Sequence, residues 1–398
     1  MQAVVVRAMK KQNDSGGFHS HGRGLWQTLP PCVEKSPLLV PPRPPMPDTT
    51  TPLRKDAHLD LCAADEVEPS GNSTLLECVH LVHCAMPEMS IDEVDLSTQW
   101  WGKTLRAPVL VTGMTGGSER ARAVNRDLAL VAEHRGLAFG VGSQRAMAEH
   151  PELARTFAVR DVAPNVLLLG NIGLRQGIAL GVDGVRRLID AIGADGLALH
   201  LNAGQELTQP EGDRDFRGGY SLVQSLSASL GERFLVKETG CGLSPEVARR
   251  LVDCGVRTLD VSGLGGTSWV RVEQLRVKGG PARELGELFS GWGIPTAAAV
   301  ASVRRVVGPG VRIIASGGLR NGLEVAKALA LGADIGGMAL PLFRAQQAGG
   351  VPAAETAVDT VVGALRQALL LTGSRNVTEL RTQPKVVAGP LRDWMGSL

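Results

Sequence analysis

Five short stretches of this chain combine residue types that handle anions, protons or metal ions. Ser316-Gly317-Gly318-Leu319-Arg320 and Gly337-Met338-Ala339 set glycines where backbone N–H groups can close on an anion. Turns also use glycine for purely steric reasons, so glycine alone does not decide the matter. Lys237-Glu238 puts an ammonium where it can meet the negative charge that collects near N1 and the C2 carbonyl of a reduced flavin; an internal ion pair with Glu238 is the alternative. His200 and Asn202 alternate at strand period, so their side chains share a face, with Gln205 and Glu206 just beyond. A lone histidine is more often a satisfied core residue, but an asparagine on the same face points to a polar site. Glu206 suits Mg²⁺, which takes one or two carboxylates and fills its shell with substrate phosphate oxygens. Glu211 and Asp213 are rival ligands, and a solvated loop carboxylate is the plain reading. Arg54-Lys55 with His58 offers the paired charge a diphosphate needs, or simply a solvated surface.

These groups do chemistry together only if the elements between them converge. From residue 105 onward the chain repeats a short apolar run, a glycine-rich turn and an amphipathic helix. The apolar runs are 108–112, 137–141, 166–170, 196–201, 234–237, 258–261, 311–315 and 334–338. Segments such as 125–135 and 323–331 carry apolar residues at helical spacing. Eight buried-type strands alternating with helices predict an α/β fold, a (β/α)₈ TIM barrel, with a doubly wound sheet as the alternative. In a barrel, ligand groups project from the carboxyl ends of the strands, and every candidate above except the Arg54–His58 cluster sits at or just past such an end. Two features flank the rhythm: an N-terminal pre-barrel segment, and a long insertion at 262–310, between the sixth and seventh strands, of the kind that serves as a lid or a subunit contact. Residues 1–50, with Pro30-Pro31, Pro41-Pro42-Arg43-Pro44-Pro45 and little to bury, are expected to form a disordered extension, and 51–398 the barrel domain.

Composition excludes several classes. With 42 Lys+Arg against 40 Asp+Glu, no global field recruits nucleic acid, so an anionic ligand must be met by local donors. The six cysteines form no C-x-x-C pair and none has zinc-finger spacing to a histidine, which argues against zinc and disulfides and for small buried thiols. No run of 18 apolar residues occurs and no basic-then-apolar leader opens the chain; the expectation is a cytoplasmic protein without a membrane partner.

The segments RKDAHL, VTGMTGGSE, GVGSQRAM, HLN-x-x-QE, QPEGDRDFRG, VKETGCGLS, DVSGLGGTSW, WGIPT, ASGGLRNGLEVAKALALGAD and LTGSRNVTELR follow one another in a single order. Together, over about residues 54–381, they resemble the type 2, flavin-dependent isopentenyl-diphosphate Δ-isomerases. The resemblance implies FMN held by Thr112, Gly113, Met114, Thr115, Ser143, Asn171, Lys237, Ser262 and Thr267, with its phosphate on Gly317, Gly318, Arg320, Ala339 and Leu340. It implies a substrate diphosphate bound by Arg54, Lys55, His58, Ser143, Gln144, Arg145, His200 and Asn202. Gln205 would lie over the isoprenoid carbons and, with His200 and Asn202, form the catalytic set, while Glu206 would bind Mg²⁺. NADPH would reduce FMN initially, the reduced flavin would act as acid and base, and the assembly would be a homotetramer or homo-octamer.

Three departures bear on loop geometry: Cys84 where an asparagine is expected, Ala203-Gly204 in place of a bulkier pair, and a slightly long interval at 174–184. The 2-hydroxy-acid oxidases, another FMN barrel class, need a histidine late in the barrel, yet all eight histidines here lie at or before position 200. Barrels with a cysteine nucleophile would need a loop of another pattern than Gly240-Cys241-Gly242. A flavin-binding redox regulator without catalysis would not require Arg54-Lys55, Gln205 and Glu206.

Overall fold

The computed structural model describes residues 50–64, 67–68 and 71–398; the extension expected at the N-terminus lies outside the described residues up to residue 49. Helix α1 (Thr50–Ala63), strand β1 (Val79–Leu81) and the hairpin β2 (Thr98–Trp100) and β3 (Lys103–Leu105) precede the barrel. The barrel then alternates β4 (Val109–Val111), α2 (Glu119–Arg135), β5 (Ala138–Gly140), the short α3 (Arg145–Glu149), β6 (Leu167–Gly173), α4 (Leu174–Ala191) and β7 (Gly196–His200). It continues through α5 (Ala203–Thr208), α6 (Gly219–Leu230), β8 (Phe234–Lys237), α7 (Pro245–Asp253), β9 (Thr258–Asp260), α8 (Trp269–Arg276), α9 (Pro281–Phe289) and α10 (Thr296–Val307). It ends with β10 (Arg312–Ala315), α11 (Gly322–Ala330), β11 (Ile335–Met338) and α12 (Leu340–Leu371), followed by α13 (Val377–Thr382), β12 (Lys385–Val387) and α14 (Gly389–Ser397).

Strands β4 to β11 pair in chain order, all parallel, and close where β11 meets β4. All eight apolar runs of the sequence are these strands, because a strand buried on both faces has no polar face to break its run. Alternation divides the side chains. Val109 and Val111 pack outward against the helices, while Leu110, Ala138, Leu167, Leu169, Ala198, Leu235, Ile314 and Ile335 fill the barrel interior. The barrel is therefore a packed core whose open chemistry is confined to its carboxyl rim.

The amino-terminal end of the barrel is plugged by the β2–β3 hairpin. Its two-residue turn, Trp101-Gly102, has both φ values positive, at 47° and 80°, the twist that matches a tight hairpin. Trp100 and Leu105 join the inner core, and Arg312 stacks on the Trp100 ring at 4.9 Å while donating to Gln99 O. Lys103 pins the hairpin by donating to Asn165 O and Val166 O and pairing with Asp195 at 2.9 Å. At the far side, β1 pairs antiparallel with β12, tying the pre-barrel segment to the C-terminal region.

The insertion resolves into α8 and α9, after which α10 serves as the ordinary barrel helix. Helix α8 packs on α5 and α1. A Cβ placed on Gly204 would meet Val270 of α8 at 3.1 Å, so the small Ala203-Gly204 pair is what admits this close approach. The long interval after β6 is a bend in α4 at Gly181, φ 62°. All five cysteines of the described residues are unpaired, but only Cys62 is fully buried; the others are partly exposed, correcting the expectation of buried thiols. No helix among the described residues is long and apolar enough to cross a membrane.

Truncating Trp100 to alanine would leave a void beneath the inner leucines. Trp100→Ala is expected to cost about 3–5 kcal/mol, read as a lower urea midpoint of unfolding.

Candidate active site

Two adjoining clefts open at the carboxyl rim and share Gly113, Met114, Lys237, Thr239 and Trp269. The second cleft collects Thr112, Ser262, Thr267, Gly317, Gly318, Arg320, Ala339 and Leu340. Its glycines are obligatory. A Cβ on Gly317 (φ 94°) would lie 2.1 Å from Gly263 O, and one on Gly318 (φ 90°) 2.4 Å from Gly265 O. The Gly317 and Gly318 amides have no acceptor among the described residues, and the adjacent N-terminus of α12 adds first-turn donors. Arg320 completes this cationic end; in the free protein its guanidinium is held by Glu68. Ser262 adopts φ 35°, a strained geometry for a serine, and its carbonyl accepts from the Gly240 and Gly242 amides. Free amides, an arginine and a lysine-bearing floor fit the phosphate and ring of FMN.

Lys237 donates from Nζ to the Glu238 carbonyl at 2.5 Å, not to its carboxylate. The Glu238 carboxylate instead accepts from the amides of Thr239, Gly240, Cys241 and Gly242, so the internal pair considered from sequence does not form. The lysine is left facing both clefts.

The first cleft gathers Arg54, Lys55 and His58 from α1, Ser143 and Arg145 after β5, Asn171, His200, Asn202, Gln205 and Glu206. Thus α1, distant in sequence from the barrel strands, delivers its cations to the same rim. Two expected members are absent. Gln144 is fully buried and points the other way: its amide nitrogen donates to Leu188 O at 2.9 Å and its Oε1 accepts from the Asn171 amide at 2.8 Å. It braces the β5 and β6 loops and offers a ligand nothing. Thr115 is likewise buried outside both clefts, its carbonyl taken by Gly142 N and Asn125 Nδ2.

A continuous polar chain crosses this cleft. His58 Nε2 lies 3.1 Å from Glu273 Oε1, which also accepts from Gln205 Nε2 at 3.0 Å. Asn202 Nδ2 donates to Glu206 Oε1 at 2.9 Å and meets Gln205 Oε1 at 3.3 Å, while Glu206 Oε2 accepts from the Asp213 amide. Glu211 and Asp213, the rival metal ligands, are engaged by arginines: Glu211 by Arg54 and Arg276, Asp213 by Arg175. No cluster of three or more metal-type side chains occurs among the described residues, so a cation here would rest on few protein ligands.

Sequence reasoning missed Glu273 and Trp269, both on α8. Burial opposes ionisation of Glu273, yet His58, Arg276 and Gln205 hold its carboxyl down at about 2. Burial also lowers His58 below its ordinary value, so the two partners cannot both carry full charge at neutral pH. We take Glu273 as the ionised member, because Arg276 keeps a permanent charge beside it, and His58 as its neutral neighbour. Trp269 stacks edge-on against His58, with ring centroids 5.3 Å apart, and walls both clefts.

His200 is neutral in the free site: burial, with Lys237 and Lys55 nearby, brings it down to about 3. Its tautomer follows from Asn171, whose Nδ2 donates to Val141 O at 3.1 Å and whose Oδ1 faces His200 Nδ1 at 2.8 Å. Nδ1 therefore carries the proton and Nε2 a lone pair. An anionic oxygen at Nε2 would draw a second proton onto the ring.

The FMN-dependent dehydrogenase family model matches residues 203–387. Over 351 residues the chain is 46% identical to the isopentenyl-diphosphate delta-isomerase of Metallosphaera sedula, covering 86% of this chain and 94% of that one. The Synechococcus protein of the same name is 48% identical over 298 residues, covering 74% and 85%. Among solved structures, a mandelate oxidase variant with 2-hydroxy-phenylacetamide superposes at TM-score 0.59 and 18% identity, covering 84% and 96%. Another variant of that oxidase, with a monooxide FMN adduct, gives 0.57 at 17%, covering 84% and 92%. At such identity the likeness speaks for the barrel alone.

Burial beside Arg54 lowers Lys55 to about 7 in the free cleft, with Arg145 adding to the effect and Glu273 and Glu149 opposing it. A bound polyanion raises that value again, so binding takes up a proton once the pH exceeds about 7. Through Lys55, affinity for an alkyl diphosphate is expected to fall more steeply above this pH, by up to about a further tenfold per unit. Lys55→Arg, always charged, should flatten the slope in calorimetric titrations; the difference between the two proteins cancels the ligand's own titration.

Proposed function

Because this chain belongs to the isopentenyl-diphosphate delta-isomerases of the FMN-dependent type 2, we propose that its two clefts divide one reaction between them. The second cleft takes FMN and the first takes isopentenyl diphosphate with Mg²⁺, releasing dimethylallyl diphosphate for isoprenoid biosynthesis. The observation that carries this division is the convergence of Arg54, Lys55, His58 and Arg145 on one side of Lys237, and of the glycine cradle with Arg320 on the other.

In this reading the cofactor phosphate rests on the Gly317 and Gly318 amides, Arg320 and the start of α12 at Ala339 and Leu340. Thr112, Gly113, Met114, Ser262 and Thr267 line the rest of its cleft, and Ser143 and Asn171 would reach the cofactor from the neighbouring first cleft. Lys237, which lines both clefts, would meet the edge of the ring where charge collects on reduction. Reduced FMN supplies the acid–base chemistry that moves a proton onto one alkene carbon and off an allylic one, with NADPH as its initial reductant.

The protein's own work is orientation and charge. Arg54, Lys55 and Arg145 neutralise the diphosphate, and His200 donates to its oxygens after gaining a proton, while Asn202, in the same cleft, spends its amide donors on holding Gln205 and Glu206 in place. Glu206 is held by Asn202 and the Asp213 amide with its carboxylate at the cleft, suited to one Mg²⁺ position, the substrate oxygens supplying others. Gln205 is fixed at both ends of its amide by Glu273 and Asn202, a restraint that would let it lie over the isoprenoid carbons. Trp269 keeps water from the alkene. We further propose a cytoplasmic homotetramer or homo-octamer in which residues 1–50 are dispensable and 51–398 form the catalytic domain.

Protein loaded anaerobically with FMN, Mg²⁺ and NADPH is expected to convert isopentenyl diphosphate to dimethylallyl diphosphate, followed by chromatography. Flavin uptake without product would count against the division of clefts. Glu206→Gln should lower turnover by about 10²-fold or more, in the range of losing one positioned electrostatic group, while leaving yellow protein. Loss of the flavin instead would show that Glu206 is misplaced. Deleting residues 1–50 should leave turnover within about twofold of the full chain, because every residue lining the two clefts lies beyond them.

A further inference from the structure

The floor between the two clefts holds a buried acid that neither the phosphate cradle nor the diphosphate site uses. Asp260 ends β9 and is 1% exposed. In the parallel ladder it is the register partner of Lys237, so the two side chains project from neighbouring strands on the same face of the sheet. Both line a small cavity beneath the rim whose other walls include Leu110, Leu169, Ala198 and Leu235. One carboxylate oxygen, Oδ1, accepts from Ser316 Oγ at 2.6 Å and from the Ser262 amide at 3.2 Å. Those two donors come from the ends of two strands, one of them the residue with strained φ 35°. Among the described residues no basic side chain is in ion-pair contact with Asp260; Lys237 is the cation across the cavity.

Burying a carboxyl among hydrocarbon is costly, and packing does not call for it here, since leucine, isoleucine and alanine fill the inward positions below. Burial raises this carboxyl, while Lys237 across the cavity and the Ser316 and Ser262 donors favour its ionised form, so that the position offers charge placed under a lysine that faces the cofactor cleft. We infer that Asp260 is a positioning residue: its anionic carboxylate, fixed by Ser316 and Ser262, tempers the positive charge of Lys237 and so sets the electrical potential felt by the flavin ring. This rests on the proposed placement of FMN in the second cleft. Reduction adds negative charge to the ring on the side Lys237 faces, and an anion behind the lysine offsets part of the stabilisation. Removing that anion strengthens the lysine's pull and favours the reduced form.

The test uses full-length protein loaded with FMN. Asp260→Asn keeps the shape and the acceptor for Ser316 while deleting the charge. Its midpoint potential, measured by equilibration with a reference dye, should rise by at least a tenfold change in the reduced-to-oxidised ratio, about 30 mV for a two-electron couple. In a Lys237→Met background the same substitution should shift the potential by less, because the effect runs through the lysine; a merely structural acid would not show this coupling. Ser316→Ala gives a second arm that retains the acid but removes its donor, and should move the potential the same way by a smaller amount. Equal potentials for wild type and flavin-loaded Asp260→Asn overturn the inference while leaving the FMN placement intact. If Asp260→Asn holds no flavin, an unmoved potential in Ser316→Ala overturns it. A wild-type protein that takes up no FMN overturns the placement and the inference together.

Discussion

Closure of the eight-strand parallel ladder is the constraint from which the rest follows. A parallel strand leads its neighbour in the same direction, so closing the ring satisfies every strand edge and puts all eight carboxyl ends on one rim. The interior, filled by a leucine-rich core and stopped at its lower end by Trp100, keeps only a small cavity just beneath the rim. Polar groups can gather only above that core, and there the chain places nearly all of them. The register is strict: Lys237 and Asp260 lie side by side because β8 and β9 pair at that step, and a slip of β9 by one residue would turn Asp260 away from the floor.

The barrel supplies the cofactor cleft almost alone, whereas the neighbouring cleft needs elements from outside the repeat. Helix α1 brings the cations and α8 brings Trp269 and Glu273. The contact that joins them is one buried carboxylate with three partners from three helices. Glu273 accepts from Gln205 of α5, faces His58 of α1 and pairs with Arg276 of its own helix. A buried charge without partners would be strongly destabilising, so Glu273 makes the assembly of α1, α5 and α8 mutually dependent. This gives the insertion between the sixth and seventh strands a defined role within one subunit, as a wall of the cleft.

The repeat was legible because strands buried on both faces, and helices buried on one, write their environment directly into residue type. All eight runs coincide with β4 to β11, and the Gly317-Gly318 turn lies where a Cβ would strike backbone, whereas Gly337, inside β11, is crowded by the Thr112 and Ser316 side chains. What escaped was whatever depends on the direction of a single side chain. Gln144 stands between two cleft residues, Ser143 and Arg145, yet turns inward to brace two loops, and no spacing rule separates it from them. Glu273 sits in a helix whose exposed and buried residues do not segregate by polarity, so its complete burial had no sequence signal. The short sheets escaped as well: β2–β3 and β1–β12 are three-residue pairings with mixed burial, too brief to show a period. Trp269 stood within a recognisable motif, but its place against His58 depends on how α1 docks.

The pairing of β1 with β12 has a consequence for how the chain is made. Residues 79–81 leave the ribosome early, and their partners at 385–387 follow only after the whole barrel has been translated. At roughly 5–20 residues per second, that strand waits some tens of seconds with its ladder groups unmatched. Val79, fully buried in the finished protein, is exposed for that time. The nascent barrel must therefore pass through a stage with this edge open near α11, and chaperone demand during synthesis should concentrate on this seam.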